Sequence, residues 1–232
     1  MRLSTFPFLT ADEFSLSCQV LINLVDSYGR QLNSLGWVDV RFDTSADEPV
    51  LAVRKYIGLH ATKELDNTDV ENEEDVEADD PEALIRQPIL HHKHEVEYNI
   101  ILSPTYQVPV LYFFLRDGPP CRPNELERMY NMLVPAQFRS ELREIGVMGG
   151  ISITLPSFTR RSKLIENNNK NHPITGIPVY FVHPCATGEA LKSVGGDKEQ
   201  TTETYLLLWL GLIGNCVGLN VPLEFVAHVE KA

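Results

Sequence analysis

Val108 to Leu115 is eight residues without a charge, and Val96 to Leu102 ends in Ile100-Ile101-Leu102. Only five residues, Ser103-Pro104-Thr105-Tyr106-Gln107, separate the two runs. Segments this short, rich in β-branched and aromatic residues and joined by a turn, read as paired antiparallel strands. Apolar runs of that length imply a pair buried on both faces. Upstream, Trp37 to Phe42 alternates and Val50 to Leu59 is a second apolar run. The four together predict an antiparallel meander.

Helices are expected on either side. Thr10-Ala11-Asp12-Glu13 is a capping box, in which Thr10 and Glu13 each satisfy the other's backbone amide. Phe14, Cys18, Leu21, Val25, Tyr28, Leu32 and Leu35 then recur at helical steps toward Gly36. Asn124 is expected to cap a short helix through Met132, and Pro135 to begin another to about Ile145. Ile151 to Leu155 reads as a short strand. A last helix starts at Thr201 or Thr202, and from Tyr205 to Phe225 only Glu224 is charged. Gly211, Gly214, Asn215, Gly218 and Asn220 dilute that stretch, Pro222 ends it, and no basic flank follows. A buried helix closing the core is expected rather than a membrane span. The class is α+β: an N-terminal helix, a four-stranded meander, a strand pair and a C-terminal helix.

The chain of 232 residues is compatible with one domain, 1–232. The net charge of −12 argues against nucleic-acid binding. It is concentrated: Glu64 to Glu82 holds eleven acids and no base, leaving the remainder nearly neutral. A strip of such self-repulsion has little to bury, so a disordered acidic insert is expected at about 63–88, as a spacer or a docking strip for a basic partner. Cys18, Cys121, Cys185 and Cys216 form no CxxC pair, and Arg2, Asp12 and Glu13 break up the start. These features suggest free thiols in a reducing, cytoplasmic compartment. His91, His92 and His94 have no cysteine or acid to complete metal-ligand spacing, and no glycine-rich phosphate loop occurs. Neither metal nor cofactor is expected.

The chemistry points to His172-Pro173-Ile174-Thr175-Gly176-Ile177-Pro178-Val179-Tyr180-Phe181-Val182-His183-Pro184-Cys185. A turn at Gly176 leads into a strand over Val179 to Val182, which Pro184 stops. Cys185 is then delivered at a strand end beside a loop, held yet reachable. Cys18 and Cys216 lie on apolar helix faces and read as core. His183 could approach the thiol if the chain bends at Pro184, or could make a structural hydrogen bond at the strand end. Tyr180, Phe181 and nearby aromatics are expected to pack over Cys185 and shelter it.

This segment closely resembles the active-site segment of the autophagy-related protein ten family, divergent ubiquitin-conjugating-type enzymes. His92 to Asp117 resembles the family's central strand pair; together the two cover about 40 of 232 residues. The His-Pro-Cys signature is shared with the sister protein three family, which passes its modifier to a lipid amine. The Tyr106-Gln107-Val108-Pro109-Val110-Leu111-Tyr112-Phe113 string favours the protein ten branch. The resemblance implies a ubiquitin-conjugating-like core with an extra strand pair before Cys185. It implies that Cys185 carries autophagy-related protein twelve as a thioester, received from the activating enzyme, protein seven, and passed to a lysine of protein five. It also implies recognition of the target through exposed strand, near Val50 to Tyr56 or Val96 to Leu102.

A thioester is already activated, so catalysis would consist chiefly of placing the lysine and supporting the oxyanion. Ordinary ubiquitin-conjugating enzymes use a His-Pro-Asn motif that is absent here. Asn171, beside His172-Pro173, and Tyr106 are candidates for the support. A non-catalytic module that uses Cys185 only for packing, and a cysteine hydrolase, are the competing classes. A hydrolase needs a positioned base and oxyanion donors that nothing in the sequence marks.

Overall fold

The computed structural model describes residues 1–34, 36–45, 48–58, 93–145, 150–154, 176–196, 199–222 and 225–227. The acidic insert, Asn171 and His172-Pro173 lie outside them. Helix α1 spans Ala11–Ser34. Its capping box closes as the sequence requires: Thr10 Oγ1 accepts from the Glu13 amide at 3.2 Å, and a Glu13 carboxylate oxygen accepts from the Thr10 amide at 2.8 Å. A kink falls at Gly29, where φ is 7° and ψ −83°.

Strands β1 (Trp37–Asp43), β2 (Val50–Gly58), β3 (Lys93–Leu102) and β4 (Pro109–Leu115) form the expected meander. After β4 come a 3-10 turn (Pro123–Glu125), α2 (Leu126–Leu133), α3 (Ala136–Ile145) and β5 (Ile151–Ile153). Strand β6 (Tyr180–Val182) is followed by a 3-10 turn (Pro184–Ala186), α4 (Thr187–Gly195) and α5 (Thr202–Ile213). The sheet order is β1-β2-β3-β4-β6-β5, with every pairing antiparallel.

Both faces of the central strands are indeed buried, by different means. On one face Val53, Tyr98, Leu111, Phe113 and Tyr180 join Phe14 and Leu21 of α1 and Tyr205, Trp209 and Leu210 of α5 in the main core. Strand alternation sends the neighbouring residues to the other face. There Val50, Ile101, Val110, Tyr112 and Val179 form a second apolar cluster. Beside it lies an ion-pair ladder from β1 across β2 and β3 to Arg116, just past β4. Arg54 bridges Asp39 (3.1 Å) and Glu95 (3.3 Å); Arg116 bridges Glu95 (3.1 Å) and Glu97; Arg41 reaches Glu97 and Asp39, both at 3.3 Å. Glu97, which interrupts the apolar pattern of β3, is 7% exposed and accepts from two guanidiniums. A buried carboxylate needs such partners.

Several expectations are corrected. Asn124 is not an N-cap: the 3-10 turn starts at Pro123, with Arg122 in the capping position and no side-chain cap. Proline's fixed φ suits a first helical position, so the helical turn begins two residues earlier, with Arg122 rather than Asn124 before it. The last helix stops at Ile213, not Pro222, and runs into a 3-10 turn over Gly214–Val217. A Cβ at Gly214 would lie 2.5 Å from the Leu219 carbonyl oxygen, so the chain doubles back on that glycine. Nor is α5 buried all round: Gly211 is exposed and Leu208 only partly covered. Cys216 is likewise partly covered and donates to the Leu212 carbonyl at 3.4 Å. No described helix is long and apolar enough to cross a membrane. Helix α4 was not anticipated at all; Gly188, Gly195 and Gly196 weaken its pattern.

The returning chain is anchored to the sheet by two long side chains. Tyr98 Oη donates to the Val217 carbonyl at 2.8 Å, and Lys55 Nζ donates to the Gly218 carbonyl at 2.7 Å. Lys55 is 8% exposed, and burial pulls its pKa down to about 8. The unfolded chain therefore binds more protons than the folded one above pH 8, so stability should rise from about pH 8 to pH 10, by up to about 3 kcal/mol. Urea denaturation across that range checks this, and Lys55→Met should flatten the slope.

Candidate active site

Cys185 sits where the sequence places it, just past a short strand. The strand is seated by two residue pairs on β4, Tyr112↔Phe181 and Phe113↔Tyr180, and by β5 on its other side. Phe113 and Tyr180 stack at 5.8 Å, and Tyr112 and Phe181 lie 6.0 Å apart, one pair on each face. Pro184 removes the next ladder donor, and the chain turns into the 3-10 turn that leads to α4. Cys185 is partly exposed in that turn. Burial pushes the thiols of Cys18, Cys121 and Cys216 upward, which marks them as poor nucleophiles.

His183 caps the turn. Its Nδ1 accepts from the Cys185 amide at 3.2 Å. That bond fixes the neutral tautomer with the proton on Nε2. Burial lowers the His183 pKa, which keeps the ring neutral and able to accept. The ring thus acts on the backbone that carries Cys185, the strand-end hydrogen bond foreseen as one of its two roles. Tyr106 meets it edge-on, with centroids 6.0 Å apart and planes at 77°. The Phe181 ring is also 6.0 Å from it, tilted by 43°.

Tyr106 occupies the β3–β4 turn and is 40% exposed. Its amide donates to Ser103 Oγ at 3.2 Å, and the next residue, Gln107, has φ 53°. The structure therefore brings Tyr106, His183 and Cys185 together from segments about 80 residues apart. Asn171 lies outside the described residues. Tyr180 and Phe181 do not form the expected shelter: Tyr180 turns into the main core and donates to the Arg122 carbonyl at 3.3 Å, while Phe181 belongs to the second cluster. The alternation of β6 commits each ring to a face of the sheet before the chain reaches Cys185. His94 lies 3.5 Å from Asp117; among the described residues no cluster of His, Cys, Asp or Glu could hold a metal ion.

The sequence reading also missed the N-terminal segment. Leu9 donates its amide to the Gln107 carbonyl at 2.8 Å, and Pro7 and Phe8 pack on Gly188, three residues past Cys185. The signal that could have found it is the spacing of Gly188 and Gly195, seven residues apart and thus on one face of a helix.

The family described as "Autophagocytosis associated protein, active-site domain" matches residues 13–224. The protein of Gibberella zeae named ubiquitin-like-conjugating enzyme ATG10 is 41% identical over 151 residues, which cover 65% of this chain and 56% of that protein. The Homo sapiens protein of the same name is 32% identical over 140 residues, 58% of this chain and 54% of that one. The Arabidopsis thaliana protein of that name is 24% identical over 234 positions, covering 94% and 95%. The chain thus spans just over half the length of the first two relatives.

The His183 cap makes a testable statement about pH. Protonation of Nδ1 destroys the acceptor, and a lowered histidine pKa places that change below pH 6.5, with the cap intact above it. The Cys185 amide resonance in ¹H–¹⁵N spectra should be flat from pH 8 to 6.5 and shift below that. In His183→Ala the titration should vanish.

Proposed function

The chain belongs to the autophagocytosis-associated active-site family and groups with its ATG10 members, and we propose that it is a ubiquitin-like-conjugating enzyme of autophagy with Cys185 as its nucleophile. The observation that carries the proposal is local. Of four cysteines, Cys185 alone stands in the family's His-Pro-Cys position, partly exposed, on a turn capped by its own histidine.

In this reading the Cys185 thiolate attacks the carbonyl carbon of an activating enzyme's thioester. The bond to the activating enzyme's sulfur breaks, and that thiolate leaves. A target lysine, having lost its proton, then attacks the same carbonyl. An isopeptide bond forms, and the Cys185 thiolate departs. Neither step changes oxidation state, and the energy resides in the incoming thioester. What the chain supplies is placement, because a reacting carbonyl held in an attack-ready orientation removes much of the barrier.

Tyr106 packs edge-on against the His183 ring that caps the Cys185 turn, and its phenol is our candidate to donate to the oxyanion; Asn171 is the second. His183 is assigned a positioning role through the Cys185 amide. The modifier is proposed to be autophagy-related protein twelve, the activating enzyme protein seven and the acceptor a lysine of protein five, as the resemblance implies; the relatives' names support the coarser role of a ubiquitin-like-conjugating enzyme. The reducing, cytoplasmic setting belongs to the same proposal. Transfer to a lipid amine, the activity of the protein three family, is the less favoured reading, since the relatives carry the ATG10 name.

The deciding experiment combines the protein with activating enzyme, ATP and modifier on a non-reducing gel. A thiol-sensitive adduct is expected with the wild type and none with Cys185→Ala. Cys185→Ser should give a stable oxyester instead. An adduct carried by Cys18, Cys121 or Cys216, or binding with no covalent band, would sink the proposal. Tyr106→Phe should leave charging intact and slow lysine transfer by roughly 10- to 100-fold if its hydroxyl supports the oxyanion.

A further inference from the structure

The contacts around Cys185 close into a ring that runs through the N-terminal segment. One arm goes from the Cys185 amide to His183 Nδ1 (3.2 Å), and from the His183 ring to Tyr106 at 6.0 Å. Next to Tyr106, the Gln107 carbonyl accepts from the Leu9 amide at 2.8 Å. The other arm starts at α4. A Cβ at Gly188 would lie 3.5 Å from the Phe8 ring, and Lys192 Nζ, one helical turn on, stands 5.5 Å over that ring's centroid. A Cβ at Gly195 would come within 2.7 Å of Phe6. The glycine face of α4 is thus filled by aromatic rings of the N-terminal segment. Phe8 and Leu9, adjacent in sequence, hold the two sides of the site.

The segment is itself tied down. The Phe8 amide donates to the Thr5 carbonyl at 2.8 Å, Tyr205 Oη donates to the Pro7 carbonyl at 2.7 Å, and Leu9 is 2% exposed. It therefore has a fixed position from which to set others. The turn carrying Tyr106 needs such support, because Gln107 is held at φ 53°, a conformation costly for a residue with a side chain.

We propose that Phe8 and Leu9 are positioning residues, a strap that sets the Tyr106 turn at a fixed distance from the Cys185 turn. This rests on the reading of Cys185 as the thioester carrier. The two half-reactions should feel the strap unequally. Charging uses a thiolate, a strong nucleophile, and the activating enzyme presents the thioester. Discharge uses an amine on a carbonyl whose orientation this chain alone determines, and there a small misplacement is costly.

The test uses the wild-type chain, Phe8→Ala and, to keep part of the apolar filler, Phe8→Leu. Charging is read as reducible adduct on Cys185 after mixing with activating enzyme, ATP and modifier. Discharge is read in single turnover of preformed adduct onto free lysine. Alkylation of Cys185 by iodoacetamide in the uncharged protein is measured alongside, with thermal melting. Phe8→Ala should charge within about threefold of wild type and discharge about tenfold more slowly. Its Cys185 should alkylate several-fold faster as the turn loosens. Phe8→Leu should lie between the two in both readouts. Equal losses in charging and discharge that track the folded fraction would overturn the proposal, as would discharge and alkylation at wild-type rates. A wild type that never charges at Cys185 refutes the carrier reading instead, and unchanged alkylation in both variants still disproves the strap.

Discussion

The pairing of β6 with β4 is the constraint on which the site depends. It consists of two residue pairs, Tyr112↔Phe181 and Phe113↔Tyr180. Their rings lie on opposite faces of the sheet, one pair in each apolar cluster. A slip of one residue would exchange those faces, placing Tyr180 in the outer cluster and Phe181 in the core. It would also move His183 and Cys185 by one position relative to the Tyr106 turn. Burial on both faces is thus what fixes a short strand in register and delivers the cysteine at a defined point.

The outer face joins charge to apolar burial. The ladder from Asp39 to Arg116 balances three carboxylates against three guanidiniums across β1, β2 and β3 and the residue just past β4. An exposed ion pair contributes little, whereas a buried carboxylate without partners is costly. Glu97 and the apolar cluster beside it therefore belong to one solution: the guanidiniums of Arg41 and Arg116 satisfy the acid that the sheet buries. The same economy appears on the core face, where Tyr98 and Lys55 satisfy carbonyls of the returning chain.

Local elements were legible because their signals are local. The Thr10–Glu13 box, the alternation of β1, the apolar runs of β3 and β4 and the proline stop before Cys185 each act within a few residues. Asn124 misled because the adjacent Pro123 is the better helix starter. Helix α4 was illegible for another reason. Its glycines are poor helix formers taken alone, and they become favourable only with Phe6 and Phe8 present to fill the space they leave. The missing signal was a contact partner about 180 residues away.

From the sequence alone came the candidate cysteine, the α+β class and the resemblance that gives the proposed chemistry its direction. These depend on residue type and short spacing, which a chain displays before it folds. Tertiary structure decided what surrounds the sulfur. It aimed His183 at the Cys185 amide, brought Tyr106 to that ring from another turn, and ran the N-terminal segment between the two sides. The last two relations join residues separated by tens to nearly two hundred positions, and only the packing of the sheet against its helices sets such distances.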